Sequence, residues 1–362
     1  MTVSTSDSPL IDGHGRVHTN LRISITDRCN IRCFYCMPEE AVQFVPRAEL
    51  LTYEEIERFV RVVARLGVNK IRLTGGEPLV RNDVPQLVRR LAAVPGISDL
   101  ALTTNGILLD ELAADLRAAG LHRLNISLDT LQEETFQKIS RRRGLDRVLA
   151  GIFAAKQAGF ERIRLNAVSI RGITEDEIVP LAEFARRHEL ELRFIEYMPL
   201  DADGRWAMDQ VLSGDRVLAI IEREVGRLER LRPEKVSGTE SIPSGRSHEH
   251  RPDLVPDTFS DPSQPATDYR YLDGGGRVGF INPVTHSFCG DCNRLRLTAE
   301  GQVRNCLFST VEWDARALLR GGADDEEIAA LVRASIAAKK PGHGIDTADF
   351  IKPQRAMYQI GG

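Results

Sequence analysis

Three cysteines stand close together near the start of this chain, in the run Cys29-Asn30-Ile31-Arg32-Cys33-Phe34-Tyr35-Cys36. The spacing is C-x3-C-x2-C, with an aromatic residue just before the last thiol. Three thiolates hold three irons of a cubane iron–sulfur cluster, and four would hold all four. The missing fourth cysteine therefore leaves one iron open to a ligand from outside. The competing reading is a helix with three buried thiols on one face. Asn30, Arg32 and the terminating Pro38 make a poor buried helix. Zinc would need a fourth ligand, and no histidine lies within this segment.

A second group reads Cys289-Gly290-Asp291-Cys292 with Cys306, a C-x2-C-x13-C spacing. Again three ligands are present. Here His286 precedes Cys289 by three residues, so a structural zinc site of three thiolates and one imidazole stands beside the cluster reading. Between Cys292 and Cys306 runs Arg294-Leu295-Arg296-Leu297. As a strand it puts Arg294 and Arg296 on one face. Two guanidiniums beside a metal–thiolate group suit an anion, best a phosphate. The plainer reading is an exposed face of solvated arginines.

These two groups use all six cysteines of the chain. An odd number in each group is awkward for disulfide pairing. Two metal sites imply a reducing interior, hence the cytoplasm.

The elements that must position these residues follow from the apolar pattern. Strands are expected at Leu21–Thr26, Lys70–Thr74, Leu100–Thr104, Arg123–Leu128, Arg162–Ile170 and Glu191–Tyr197. Helical patterns at Tyr53–Leu66, Val84–Ala93, Ile107–Ala119, Arg147–Ala158 and Glu175–His188 lie between them. Such alternation argues for a parallel sheet with right-handed crossovers. Six units suit a partly closed β/α barrel, and an open doubly wound sheet fits almost as well. Polar and Gly-rich residues gather after successive strands, as in Thr74-Gly75-Gly76-Glu77, Thr103-Thr104-Asn105 and Ser127-Leu128-Asp129. The carboxyl ends of strands are where such sheets build sites.

Further helical pattern follows at Asp215–Val225, a strand at Val278–Ile281 and a helix at Asp325–Lys340. Four segments are expected: a flexible tail over 1–20, the barrel over 21–230, a flexible insertion over 231–268 and a cluster region over 269–362. Arg141-Arg142-Arg143 reads as a solvated helix end. The chain has 362 residues and a net charge of −4. That balance gives no field for nucleic acid or an anionic membrane, and no apolar run approaches the ~20 residues of a membrane span.

Taken together, both cysteine groups and their contexts closely resemble the GTP 3′,8-cyclase family of molybdenum cofactor biosynthesis, within the radical S-adenosylmethionine (SAM) superfamily. The matching segments include Leu21 through Pro38, Ile71 through Pro78, Leu102 through Gly106, Asn125 through Asp129, Arg193 through Met198, and the ending Pro353 through Gly362. No G-x4-G-K-S/T phosphate loop is present.

The resemblance implies an α/β fold, an incomplete (β/α)6 barrel of TIM-like type with a C-terminal accessory cluster region, working as a homodimer. It implies two [4Fe–4S] clusters. Cys29, Cys33 and Cys36 would bind the one that cleaves SAM to a 5′-deoxyadenosyl radical, with Tyr35, Gly76, Glu77, Ser127 and Met198 in contact with SAM. Cys289, Cys292 and Cys306 would bind the one that holds the guanine of GTP. Arg22, Lys70, Arg72, Thr103, Arg164, Arg193, Arg294 and Arg296 would contact GTP; Arg164 stands where the family more often has lysine. The radical would take hydrogen from C3′ of the ribose, and the carbon radical would attack C8. The tail Gly361-Gly362 would enter the active site. Partners implied are a reductant such as flavodoxin or ferredoxin and a cyclic pyranopterin monophosphate synthase that takes the product.

Overall fold

The computed structural model describes residues 8–231, 263–345, 347 and 350–361. Six parallel strands carry the expected order: β1 (Asn20–Ser24), β2 (Lys70–Thr74), β3 (Asp99–Thr104), β4 (Arg123–Ser127), β5 (Ile163–Ser169) and β6 (Glu191–Glu196). Helices α1 (Tyr53–Arg65), α2 (Val84–Ala92), α3 (Leu109–Ala118), α4 (Glu133–Ser140), α5 (Leu145–Gln157) and α6 (Ile178–Arg187) connect them. Helix α1 starts where a capping box forms: the Thr52 hydroxyl accepts from Glu55 N, and the Glu55 carboxylate accepts from Thr52 N. Helix α4 and the start of α5 at Leu145 were not expected.

Each strand alternates an apolar face with a polar one. Leu21 and Ile23, Ile71 and Leu73, Leu124 and Ile126, and Leu192 and Phe194 are buried in the main core. That core also holds Val62 and Val63 of α1 and Leu87 and Val88 of α2. Each such side chain contributes roughly 1.5–3 kcal/mol on burial. The intervening residues Arg22, Arg72, Asn125 and Arg193 line one cavity instead. Parallel strands buried on both faces read as continuous apolar runs. Here one face packs on helices and the other curves around a polar hollow, so the barrel is not filled.

The C-terminal region completes both edges. After α7 (Gly214–Glu224) come β7 (Leu228–Arg230), β8 (Thr267–Tyr271), β9 (Arg277–Ile281), β10 (Arg294–Leu297), β11 (Gln302–Arg304) and β12 (Trp313–Asp314). Strand β9 pairs parallel to β6, and β10 pairs parallel to β1. β8 and β7 extend the β9 edge antiparallel, and β11 and β12 the β10 edge. The order β12-β11-β10-β1-β2-β3-β4-β5-β6-β9-β8-β7 is an open run, an incomplete barrel. Helices α8 (Ala315–Gly321), α9 (Asp325–Ala337) and α10 (Met357–Ile360) follow.

Two expectations are corrected. Residues 8–20 are not a loose tail. Leu10, Asp12, Arg16 and His18 are buried, Ile11 bridges Val17, and β1 begins at Asn20. The expected insertion over 231–268 is too long at its end, because Thr267 and Asp268 belong to β8 and Leu231 N donates to Asp268 O at 2.9 Å. The rest of that segment, 232–262, lies outside the described residues.

Candidate functional site

The loop after β1 carries Cys29, Cys33 and Cys36, all free thiols and half-buried. It closes on itself, with Cys36 N and Met37 N both donating to Cys33 O at 2.9 Å. Helix α4 pins it from outside: Arg32 N donates to Ser140 O at 2.8 Å and Phe34 N to Ile139 O at 3.1 Å. Arg141 Nη1 donates to Met37 O at 3.1 Å, and its side chain is only 12% exposed. Arg141 is therefore a brace of this loop rather than a solvated helix end.

The β2 loop presses on the cysteine loop from the other side. Gly76 N donates to Thr26 O at 2.7 Å and Glu77 N to Arg28 O at 2.8 Å. A Cβ on Gly76 would stand 2.4 Å from Arg28 O, so only glycine fits this approach. Buried Glu77 accepts from Leu79 N at 3.0 Å, Thr104 Oγ1 at 2.7 Å and Asn105 N at 2.6 Å. Burial still lifts its carboxyl to about 7. Tyr35 Oη donates to Asp129 Oδ2 at 2.7 Å, and burial lifts Asp129 to about 6. Burial and the Glu77 charge push the Cys29 thiol up to about 11; burial and Asp129 push Cys33 up as well. Gly76, Glu77, Ser127 and Met198 all line the cavity beside the three thiols.

Cys289, Cys292 and Cys306 line the same cavity. Their surroundings are cationic. Arg294 Nε and Nη2 reach Cys292 Sγ at 3.4 and 3.2 Å, and Lys339 Nζ reaches it at 3.5 Å. Burial alone would raise the Cys292 thiol, but Arg294 and Lys339 outweigh it and bring it down to about 6. His286 takes no part. Its Nε2 lies 3.1 Å from Asp215 Oδ2 on the exposed surface, so the imidazole that the zinc reading needs is engaged elsewhere. Among the described residues no three His, Cys, Asp or Glu side chains close on a point one metal ion could occupy. The residues of both triads line the cavity, and three soft thiolates are a donor set that fits an iron–sulfur cluster with one iron left for an outside ligand.

Between the two cysteine faces runs a row of arginines. Register places Arg22 beside Arg296 on one side and Arg72 on the other. Neighbouring strands lie about 4.8 Å apart, so three guanidiniums crowd together. Burial and the neighbouring arginines, Arg296 above all for Arg22 and Arg22 for Arg72, depress both groups strongly. Neither Arg22 nor Arg72 forms an ion pair among the described residues, and Arg22 Nε has no hydrogen-bond partner. Such a row calls for a bound polyanion. Arg164 and Arg193 differ. Arg164 pairs with Glu191, and Arg193 Nη2 sits 3.3 Å from Asp268 Oδ2 and 3.1 Å from Gln264 Oε1. Lys70 and Thr103 also line the hollow.

The C-terminal tail reaches this row. Gly361 O accepts from Arg296 Nη1. Gly361 has φ +72°, and a Cβ there would stand 2.7 Å from Thr74 Cγ2. Gly362 lies outside the described residues. His343 also lines the cavity, beside Cys289. Sequence reasoning gives no role to Lys339 or His343, which come from a distant segment with no local signal, and it marks Asp129 only as a polar residue after β4.

A family model for the radical SAM superfamily matches residues 23–185, and one for the molybdenum cofactor synthesis C-terminal region matches 225–345. A GTP 3′,8-cyclase of Rhodopirellula baltica is 50% identical, covering 100% of this chain and 94% of that relative. The chain belongs to the GTP 3′,8-cyclase family. A relative of the same name from Mycolicibacterium smegmatis is 43% identical, covering 99% of this chain and 93% of that one. Streptococcus suis SuiB, solved with S-adenosylmethionine, is 15% identical with a TM-score of 0.54, covering 86% of this chain and 65% of that one. That likeness bears on the fold. Membership of the superfamily brings a [4Fe–4S] cluster and SAM. No helix among the described residues is long and apolar enough to cross a membrane.

Proposed function

We propose that this chain converts GTP to (8S)-3′,8-cyclo-7,8-dihydroguanosine 5′-triphosphate, the first step of molybdenum cofactor biosynthesis, with SAM cleaved to 5′-deoxyadenosine and methionine. The observation that carries this reading is the Arg296–Arg22–Arg72 row between two cysteine faces of one cavity, with no carboxylate partner for any of the three among the described residues. Cys29, Cys33 and Cys36 would hold the cluster of the SAM site, and Cys289, Cys292 and Cys306 a second [4Fe–4S] cluster at which guanine docks. With both groups bound, the clusters and SAM supply the electron and the carbon radical; the protein supplies position.

The chain's own residues then divide the work. Tyr35 and Asp129, joined by their hydrogen bond, fix the cysteine loop against β4. Gly76, Ser127 and Met198 would contact SAM. Glu77, lodged among three donors, holds the β2 and β3 loops and would accept a hydrogen bond from the SAM ammonium. Arg22, Arg72, Arg294 and Arg296 would take the triphosphate, with Lys70 and Thr103 beside them. Arg164 and Arg193, held by the carboxylates of Glu191 and Asp268, would order the far wall and meet GTP from it. Gly361, where a Cβ would meet Thr74 Cγ2, and the Gly362 that follows it would pack over the substrate and keep water out.

A reducing cytoplasm, a homodimer, an electron donor such as flavodoxin or ferredoxin and a downstream cyclic pyranopterin monophosphate synthase complete the proposal. The test is anaerobic reconstitution with iron and sulfide, followed by SAM, reductant and GTP. Mass spectrometry should find 5′-deoxyadenosine and the cyclised nucleotide together. Deoxyadenosine with unchanged GTP would point to another substrate; intact SAM would point to a non-catalytic metal protein.

A further inference from the structure

The second cysteine loop is held from outside the cavity by the N-terminal hairpin. Asp12 N donates to Arg16 O at 3.2 Å, and His18 N donates to Leu10 O at 2.8 Å. Within that hairpin Asp12 and Arg16 form a buried pair, Nε to Oδ2 at 2.6 Å, with side-chain exposures of 0% and 6%. The far side of the guanidinium leaves the hairpin. Its Nη1 donates to Cys289 O at 2.7 Å and to Pro341 O at 3.0 Å, and its Nη2 donates to Lys340 O at 2.7 Å.

We propose that Arg16 is a positioning residue for the second cluster, tying the Cys289 ligand loop to the Lys339–Pro341 turn. The three carbonyls come from two segments far apart in sequence. One belongs to a ligand residue itself, so a shift of that peptide carries the Cys289 side chain with it. The other two follow Lys339, whose Nζ reaches both Cys292 Sγ and, at 2.9 Å, Arg294 O. One planar fork thus orders a ligand on one side of the triad and a cationic donor to a ligand on the other. The turn sits close: a Cβ on Gly342 would be 3.9 Å from Cys289 Cβ. Groups that orient metal ligands act on affinity and on the metal's electronics without touching it. Lysine has no rigid fork, so it cannot serve three carbonyls and a carboxylate at once.

This inference rests on the reading of the second triad as a cluster site, and the experiment separates the two. The full chain, Arg16→Ala and Arg16→Lys are reconstituted anaerobically. Iron per chain and low-temperature electron paramagnetic resonance, with and without GTP, are then recorded. The parent should hold about eight irons. Arg16→Ala should lose up to about four of them, together with the GTP-responsive signal, while still cleaving SAM. Arg16→Lys should restore iron only in part and with a shifted spectrum. A role in general stability would instead lower both clusters together. Four irons in the parent would overturn the cluster reading itself. Eight irons and an unchanged, GTP-responsive spectrum in Arg16→Ala would overturn the positioning role. Should Arg16→Ala fail to fold, an Arg16→Lys spectrum identical to the parent's would overturn it equally.

Discussion

The Cys29–Cys36 face of the cavity is walled by carboxyl groups, and the Cys289–Cys306 face by cations. Burial, with Glu77 beside Cys29 and Asp129 beside Cys33, raises those two thiols, while Arg294 and Lys339 outweigh burial and lower Cys292 on the second face. A cluster beside carboxylates resists an added electron and gives it up readily. That suits the reduction of SAM. Cations beside the second triad accommodate negative charge, which suits a triphosphate. The chain builds both environments from one sheet, by following β2 with the glycine-rich Glu77 loop and β4 with Asp129, and by closing the β1 edge with an arginine strand.

Variants at the two faces should break the symmetry most sharply. Cys33→Ala is expected to abolish deoxyadenosine formation, and Cys292→Ala to keep some SAM cleavage while stopping cyclisation. Normal cyclisation by Cys292→Ala would remove the second face from the reaction. Deleting Gly361 and Gly362 should resemble Cys292→Ala, with SAM cleavage retained and cyclised nucleotide lost. Full-rate cyclisation by the truncated chain would reduce the tail to a plain terminus.

The arginines test the comparison within one wall. Arg22→Ala and Arg72→Ala should each weaken GTP binding by roughly 1.5–3 kcal/mol, the value of a charge-assisted contact. Arg193→Ala should instead show as lower stability, because it removes the cation paired with buried Asp268 and leaves that carboxylate only Gln264 Nε2, at 3.0 Å, as a side-chain partner among the described residues. Equal losses of affinity at all three positions would contradict the division into unpaired and paired arginines.

The smallest effect is in the pH dependence of stability. Burial pushes His18, beside the second face, down to about 4. The unfolded chain takes up that proton near 6.5, so this stabilisation is present above 6.5 and is lost as pH falls towards 4. The shift corresponds to about 3 kcal/mol at most. Glu77 has the opposite sign: its raised group contributes below about 4.5 and loses that contribution as pH rises through 7. Urea unfolding of His18→Gln between pH 7 and 5 should lose less stability than the parent. Identical pH slopes would show that His18 does not carry the acid limb.

Much of this was legible beforehand. The strand expected at Lys70–Thr74 has the observed bounds, because alternating apolar residues between turns leave little choice of register. The cysteine spacings located both faces, and the Arg294–Arg296 face was readable from strand period alone. What was not legible is long-range. Glu133–Ser140 offers only Phe136 and Ile139 as buried apolar residues, too few to announce a helix. The hairpin at 8–18 looks like a polar tail until Arg16 is seen to bond carbonyls of Cys289, Lys340 and Pro341. The joining of β9 and β10 to opposite edges of the parallel sheet leaves no local mark at all.

The central claim is that the two faces deliver their ligands to one point. GTP deuterated at C3′ tests it directly, in a single anaerobic turnover with the reconstituted chain. Deuterium should appear in 5′-deoxyadenosine, in step with cyclised nucleotide. Deoxyadenosine formed at the same rate but free of deuterium would show that the radical and the ribose never meet.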